Sequence, residues 1–129
     1  MSDSPNAQSI SRAVVLGAGT MGNGIAQVCA QAGIEMVLFD INDDAVATGL
    51  ENIKRMLAKA VEKGKASPED VAATMSRLST STDLIASCAG AQLVVEAIPE
   101  KLELKQSVMA QIESAVADDC LIASNTSSL

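Results

Sequence analysis

No histidine occurs anywhere in the 129 residues, and cysteine and proline number only three each. General acid–base chemistry near neutral pH normally uses histidine, so a base of that type is not supplied from within this chain. The cysteines, Cys29, Cys88 and Cys120, are odd in number and have no metal-ligand spacing. That pattern fits reduced thiols and offers no metal site, and each cysteine reads as a small buried hydrophobe. No apolar run reaches transmembrane length, which predicts no membrane span. Met1 to Ser11 has no basic segment followed by an apolar core, so it does not read as a secretory signal. The expectations are an unstructured leader over residues 1–11, a soluble protein and a cytoplasmic location. Nothing repeats at a fixed period, and no run of like charge is long.

What is present suffices for one domain, over residues 12–129, with a substantial core: 48% of the residues are hydrophobic. The formal net charge of −7 argues against nucleic-acid binding and against adhesion to acidic membranes. The basic residues are nevertheless concentrated, with Lys54, Arg55, Lys59, Lys63 and Lys65 lying close together in sequence. Arg55, Lys59 and Lys63 stand at i, i+4 and i+8, which on a helix makes one cationic stripe. Such a stripe reads either as a solvated face partly paired by Glu51 and Glu62 or as a landing strip for an anionic tail.

The run from Val14 to Gly22 carries the most specific signal. A short β-branched segment feeds a glycine-spaced turn and then an amphipathic pattern, and an acidic residue, Asp40, closes the next apolar run roughly twenty residues on. Each glycine has its own task. Gly17 permits the tight turn, Gly19 removes a side chain that would hold the backbone off a pyrophosphate, and Gly22 lets the helix lie close on its strand. Together with Thr20 and Met21 they put the N–H groups and positive dipole end of a helix at the phosphates. A carboxylate at Asp40 accepts from ribose hydroxyls and repels a 2′-phosphate, and neither Ile41 nor Asn42 brings a cation. The spacing therefore predicts NAD as the cofactor, in preference to NADP.

Periodicity predicts a strand over Arg12–Gly17 and a helix over Met21–Ala32 with Met21, Ile25, Val28, Cys29 and Ala32 on its apolar side, capped by Gly33. A strand over Glu35–Asp40 follows, buried on both faces. Asn42 then caps a long helix with Val46, Leu50, Ile53, Leu57 and Val61 inward, ending near Gly64. Ser67-Pro68-Glu69-Asp70 opens a second inserted helix, whose buried side is Val71, Met75 and Leu78. A short strand over Ser79–Thr82, a short helix over Asp83–Ala89 and a buried strand over Gln92–Ile98 come next. An amphipathic helix over Glu100–Ala117, with Leu104, Val108, Ile112 and Ala115 inward, leads to a last strand over Cys120–Ser124. This alternation predicts an α/β fold with a doubly wound parallel sheet of the Rossmann type in the order 3-2-1-4-5, and a helical-hairpin insert between strands 2 and 3. Its crevice lies at the carboxyl ends of strands 1 and 4, next to Glu100, Asn125, Ser127 and Ser128.

Three segments carry a family resemblance: Gly-Ala-Gly-Thr-Met-Gly-Asn-Gly-Ile-Ala-Gln at 17–27, Val-Val-Glu-Ala-Ile-Pro-Glu at 94–100 and Ser-Asn-Thr-Ser-Ser-Leu at 124–129. Together they resemble the NAD-binding domain of 3-hydroxyacyl-CoA dehydrogenases, especially bacterial 3-hydroxybutyryl-CoA dehydrogenases. The basic insert at 58–65 matches the same family. The resemblance implies oxidation of an L-3-hydroxyacyl-CoA to the 3-keto compound, in fatty-acid β-oxidation or butanoate metabolism. It implies that Asp40 holds the ribose diol, that Ala97, Glu100, Lys105 and Asn125 touch the cofactor, that Ser127 hydrogen-bonds the substrate oxygen, and that Asn52 and Lys59 meet CoA. It also strengthens the ligand reading of the cationic stripe.

Simpler readings stand beside these roles. Glu100 behind Pro99 equally suits a helix N-terminus, Ser127 a loop hydroxyl, and Lys105 an exposed surface charge. In the family the catalytic histidine, its paired glutamate and a helical domain that closes the cleft and forms a homodimer all follow the last motif. The expectation is that these lie beyond Leu129, that this is a truncated NAD-binding domain, and that alone it turns over no substrate. A non-catalytic NAD-binding module, or another hydroxy-acid dehydrogenase on the same fold, remains open.

Overall fold

The computed structural model describes residues 10–97, 102–116 and 120–124. Its elements are β1 (Arg12–Leu16), α1 (Thr20–Gln31), β2 (Glu35–Phe39), α2 (Asp43–Glu62), α3 (Pro68–Ser76), β3 (Leu78–Ser81), α4 (Leu84–Cys88), β4 (Leu93–Glu96), α5 (Leu102–Ala115) and β5 (Leu121–Ser124). The strands form one sheet in the order β3-β2-β1-β4-β5, and every pairing is parallel. This is the expected doubly wound order, with element ends within about two residues of those read from periodicity.

Alternation along the strands sorts the core into two layers. Ala13, Val15, Met36 and Leu38 face α1, α2 and α3, where they meet Ala26, Ala30, Val46, Ile53 and Leu57. Val14, Leu16, Val37, Phe39 and Val94 face the other way, toward Cys88 of α4 and Ile112 of α5. The central strands are therefore buried on both sides, as a parallel sheet requires.

Local chemistry explains the helix ends. The Asn42 side chain accepts from the Asp44 and Ala45 N–H groups, starting α2. At α3, Ser67 and Asp70 form a reciprocal capping box with Pro68 at the first helical position. Gly33 and Gly64, beyond the ends of α1 and α2, adopt φ of +101° and +73°.

Two expectations need correction. The contact face of α1 is only partly the predicted apolar stripe: Gly22, Asn23, Ala26 and Ala30 are buried, Ile25 and Cys29 pack against the core from its margin, and Met21 and Val28 are 57% and 63% exposed. The helix lies too close to the sheet for large side chains, since a Cβ on Gly22 would sit 1.8 Å from the Gly17 carbonyl oxygen. In α3, Thr74 is buried while Val71 and Met75 pack from the margin, and Leu78 begins β3 instead of extending the helix. The inward position of Ile112 holds. The side chains of Leu104 and Val108 lie outside the described residues, as does Ile98.

Candidate functional site

The glycine turn leaves β1 at its carboxyl end. Gly17 has φ +109°, a conformation that L side chains avoid, and its N–H donates to the Phe39 carbonyl at 2.7 Å. The next N–H, that of Ala18, donates to Asp40 Oδ2 at 3.0 Å. Asp40 thus ties the turn to the end of β2, and its Oδ1 has no protein partner among the described residues. Beside it Ile41 is 76% exposed, an apolar surface next to the carboxylate.

The turn fits a pyrophosphate. Gly19 is the N-cap of α1 and no side chain caps that helix, so its first N–H groups remain for a ligand. A Cβ built on Gly19 meets nothing within 4 Å, so the backbone there faces open space. Gly22 is the reverse case, its missing Cβ being what admits the Gly17 carbonyl. On the other side of β1, the Ala97 N–H donates to the Leu16 carbonyl at 2.8 Å, which places Ala97 at the crevice.

A cavity of about 420 Å³ opens between α1 and α2. Thr20, Asn23 and Gln27 line it from α1, and Asn52, Arg55 and Lys59 line it from α2, with Ile53 and Met56 adding apolar surface. The structure therefore brings Asn52 and Lys59 together on one wall, adjoining the helix that begins at the glycine turn. The Arg55 guanidinium donates to Asn52 Oδ1. The cationic stripe divides here: Arg55 and Lys59 reach the cavity, whereas Lys63 does not line it. Glu51 pairs instead with Lys54, at 3.6 Å. Among the described residues no carboxylate lies within ion-pair distance of Arg55, Lys59 or Lys63.

Glu100, Asn125, Ser127 and Ser128 lie outside the described residues; Lys105 falls within α5, but its side chain does too. Two residues escaped the sequence reading, Asn23 and Glu96. Asn23 is 7% exposed, and its Oδ1 has no hydrogen-bond partner among the described residues. It rests over Gly49 of α2, where a Cβ would come within 2.5 Å of that oxygen and 3.0 Å of the Ala18 carbonyl oxygen. Glu96, 2% exposed, ends β4. A charged residue inside the run Val94-Val95-Glu96-Ala97 was the available signal. Among the thiols, burial pushes Cys29 up, and burial followed by the neighbouring Cys120 pushes Cys88 up to about 11.

Comparison with known proteins decides the family. The description "3-hydroxyacyl-CoA dehydrogenase, NAD binding domain" matches residues 12–129. The chain belongs to that family. NAD is accordingly the dinucleotide for which this glycine turn is built. Among solved structures, this NAD-binding domain is similar to (S)-3-hydroxybutyryl-CoA dehydrogenase PaaH1 from Ralstonia eutropha, with TM-score 0.88 and 38% identity over 93% of this chain and 42% of that one. It is likewise similar to 3-hydroxybutyryl-CoA dehydrogenase from Escherichia coli K12, with TM-score 0.89 and 38% identity over 93% of this chain and 25% of that one. The fatty acid oxidation complex subunit alpha of Psychrobacter cryohalolentis is 36% identical over 126 residues, 98% of this chain. The chain spans 17% of the length of that relative.

Proposed function

We propose that this domain holds NAD for an L-3-hydroxyacyl-CoA dehydrogenase that interconverts 3-hydroxyacyl-CoA and 3-ketoacyl-CoA. The observation that carries the reading is the Asp40 carboxylate, fixed by the Ala18 N–H beside an uncapped helix N-terminus. In this reading Asp40 Oδ1 accepts from the adenosine ribose diol, and Ile41 offers the adenine an apolar face. The pyrophosphate lies on Gly17, Gly19, Thr20, Met21 and Gly22. Ala97, Glu100, Lys105 and Asn125 contact the cofactor further along, and Ser127 hydrogen-bonds the substrate oxygen. Asn52 and Lys59, on their shared cavity wall, take the CoA portion of the substrate. When bound, NAD supplies the hydride acceptor; the chain's residues orient it and the acyl-CoA. With no histidine in the sequence, a histidine base is not contributed by these residues. In this reading the whole protein is a cytoplasmic homodimer.

Titration of the chain with NADH, NADPH and CoA tests this. NADH is expected to bind at least tenfold more tightly than NADPH, because a 2′-phosphate beside Asp40 meets like charge. Lys59→Ala is expected to weaken CoA and leave NADH unchanged, whereas Lys63→Ala, outside the cavity, has the smaller effect. Tighter NADPH binding, or CoA affinity unmoved by Lys59→Ala, overturns the corresponding half. The chain alone is expected to show negligible oxidation of NADH by acetoacetyl-CoA, since in this direction the missing histidine would act as the general acid that protonates the carbonyl oxygen, and its loss costs about 10²- to 10⁴-fold.

A further inference from the structure

Among the described core residues Glu96 is an anomaly: an acidic side chain, 2% exposed, at the carboxyl end of a central strand. Val95 and Ala97 pack with the layer formed by α1, α2 and α3, while Val94 and Leu16 belong to the opposite layer. Strand alternation therefore puts Glu96 on the α4/α5 side of the sheet. Its register partners are Leu16, the last residue before the glycine turn, and Ser124 at the end of β5. Glu96 thus stands at the point where the strand order reverses, beneath the crevice that a dinucleotide crosses. Asp40, at the end of β2, marks the side of the adenosine half. The nicotinamide half accordingly falls on the β4 side, where Glu96 is.

A carboxylate on that side acts differently on the two forms of the cofactor. The oxidised nicotinamide ring carries a positive charge and the reduced ring carries none, while their adenosine and pyrophosphate parts are identical. We propose that Glu96 is a specificity-determining residue that makes this domain favour NAD⁺ relative to NADH. It does so through the field of a charge shielded from water on its own side of the sheet. The inference rests on the cofactor reading above and goes beyond it, because nothing in the glycine turn or Asp40 distinguishes the two redox forms.

The test is calorimetric titration of the full chain, wild type and Glu96→Gln, with NAD⁺, NADH and ADP-ribose, which lacks the nicotinamide. Glu96→Gln is expected to weaken NAD⁺ by about fivefold, the order expected for one charge acting across a partly wet crevice, and to change NADH and ADP-ribose by less than about twofold. Equal weakening of all three ligands identifies Glu96 as purely structural and overturns the proposal, as does no change in any. If Glu96→Gln does not fold, Glu96→Asp replaces it: keeping the charge but drawing it back must reduce the preference for NAD⁺ in the same direction, and an unmoved ratio overturns the proposal. A wild-type chain that binds NADH and ADP-ribose but shows no charge effect leaves the cofactor reading standing and this one refuted. Binding of none of the three refutes both.

Discussion

Two glycines on neighbouring helices show how sharply context decides what one methyl group costs. Gly49 faces the Asn23 amide, the Ala18 carbonyl and Leu38, all within 3.0 Å of where its Cβ would be. Asn23 is itself buried and cannot swing away. Gly49→Ala is therefore expected to destabilise the fold by about 1–3 kcal/mol, as overpacking does. Gly24 lies in α1 with nothing within 4 Å of its Cβ position and no positive φ. Gly24→Ala is expected to stabilise by about 0.5–1 kcal/mol through reduced chain entropy. Urea denaturation of the two variants checks both signs. At Gly22 the obstacle is backbone, 1.8 Å away; Gly22→Ala is expected to abolish NADH binding, read by fluorescence titration.

At the scale of elements, the inserted helices α2 and α3 show which features are local. The Asn42 and Ser67 caps join residues two or three apart, so both were legible in the sequence; the return bond from the Ser67 N–H to Asp70 Oδ2, which completes the box, came only with the structure. Ser67→Ala removes one bond of the box and is expected to cost about 1 kcal/mol, with Ser67→Asp retaining most of it. A shift of the denaturation midpoint at constant slope measures this. The buried side of α1 was not legible in the same way. Its apolar residues recur at helical spacing, but the distance between helix and sheet selects the side made of Gly22, Ala26 and Ala30. Met21 and Val28 are left outward because a closely packed helix has no room for them.

Over the whole molecule, folding removes Cys88 from water at the meeting of α4 with the sheet and brings Cys120 near it. Its pKa rises from 9.0 to about 11, so the unfolded chain releases this proton before the folded one does. The sign follows directly: the contribution to stability is complete below pH 9 and is lost as pH rises toward about 11. The unfolding free energy of wild type is expected to fall across that window, and Cys88→Ala to flatten the fall. Thiol labelling of the native chain at neutral pH should also leave Cys88 as the slowest of the three cysteines, since it is the most deeply buried.

The strand order, the parallel sheet, the glycine turn and the cofactor class were contained in the linear pattern. Each rests on short-range spacing or on a handedness rule that applies to any chain of alternating strands and helices. The meeting of Asn52, Arg55 and Lys59 with Asn23 and Gln27 around one cavity depended instead on how α2 crosses α1. So did the close approach at Gly49 and the outward turn of Met21. The burial of Glu96 below the crevice depended on two layers of helices closing over both faces of the sheet. Spacing along the chain reports which residues share a face; only packing decides how near two faces come and which charge is left without water.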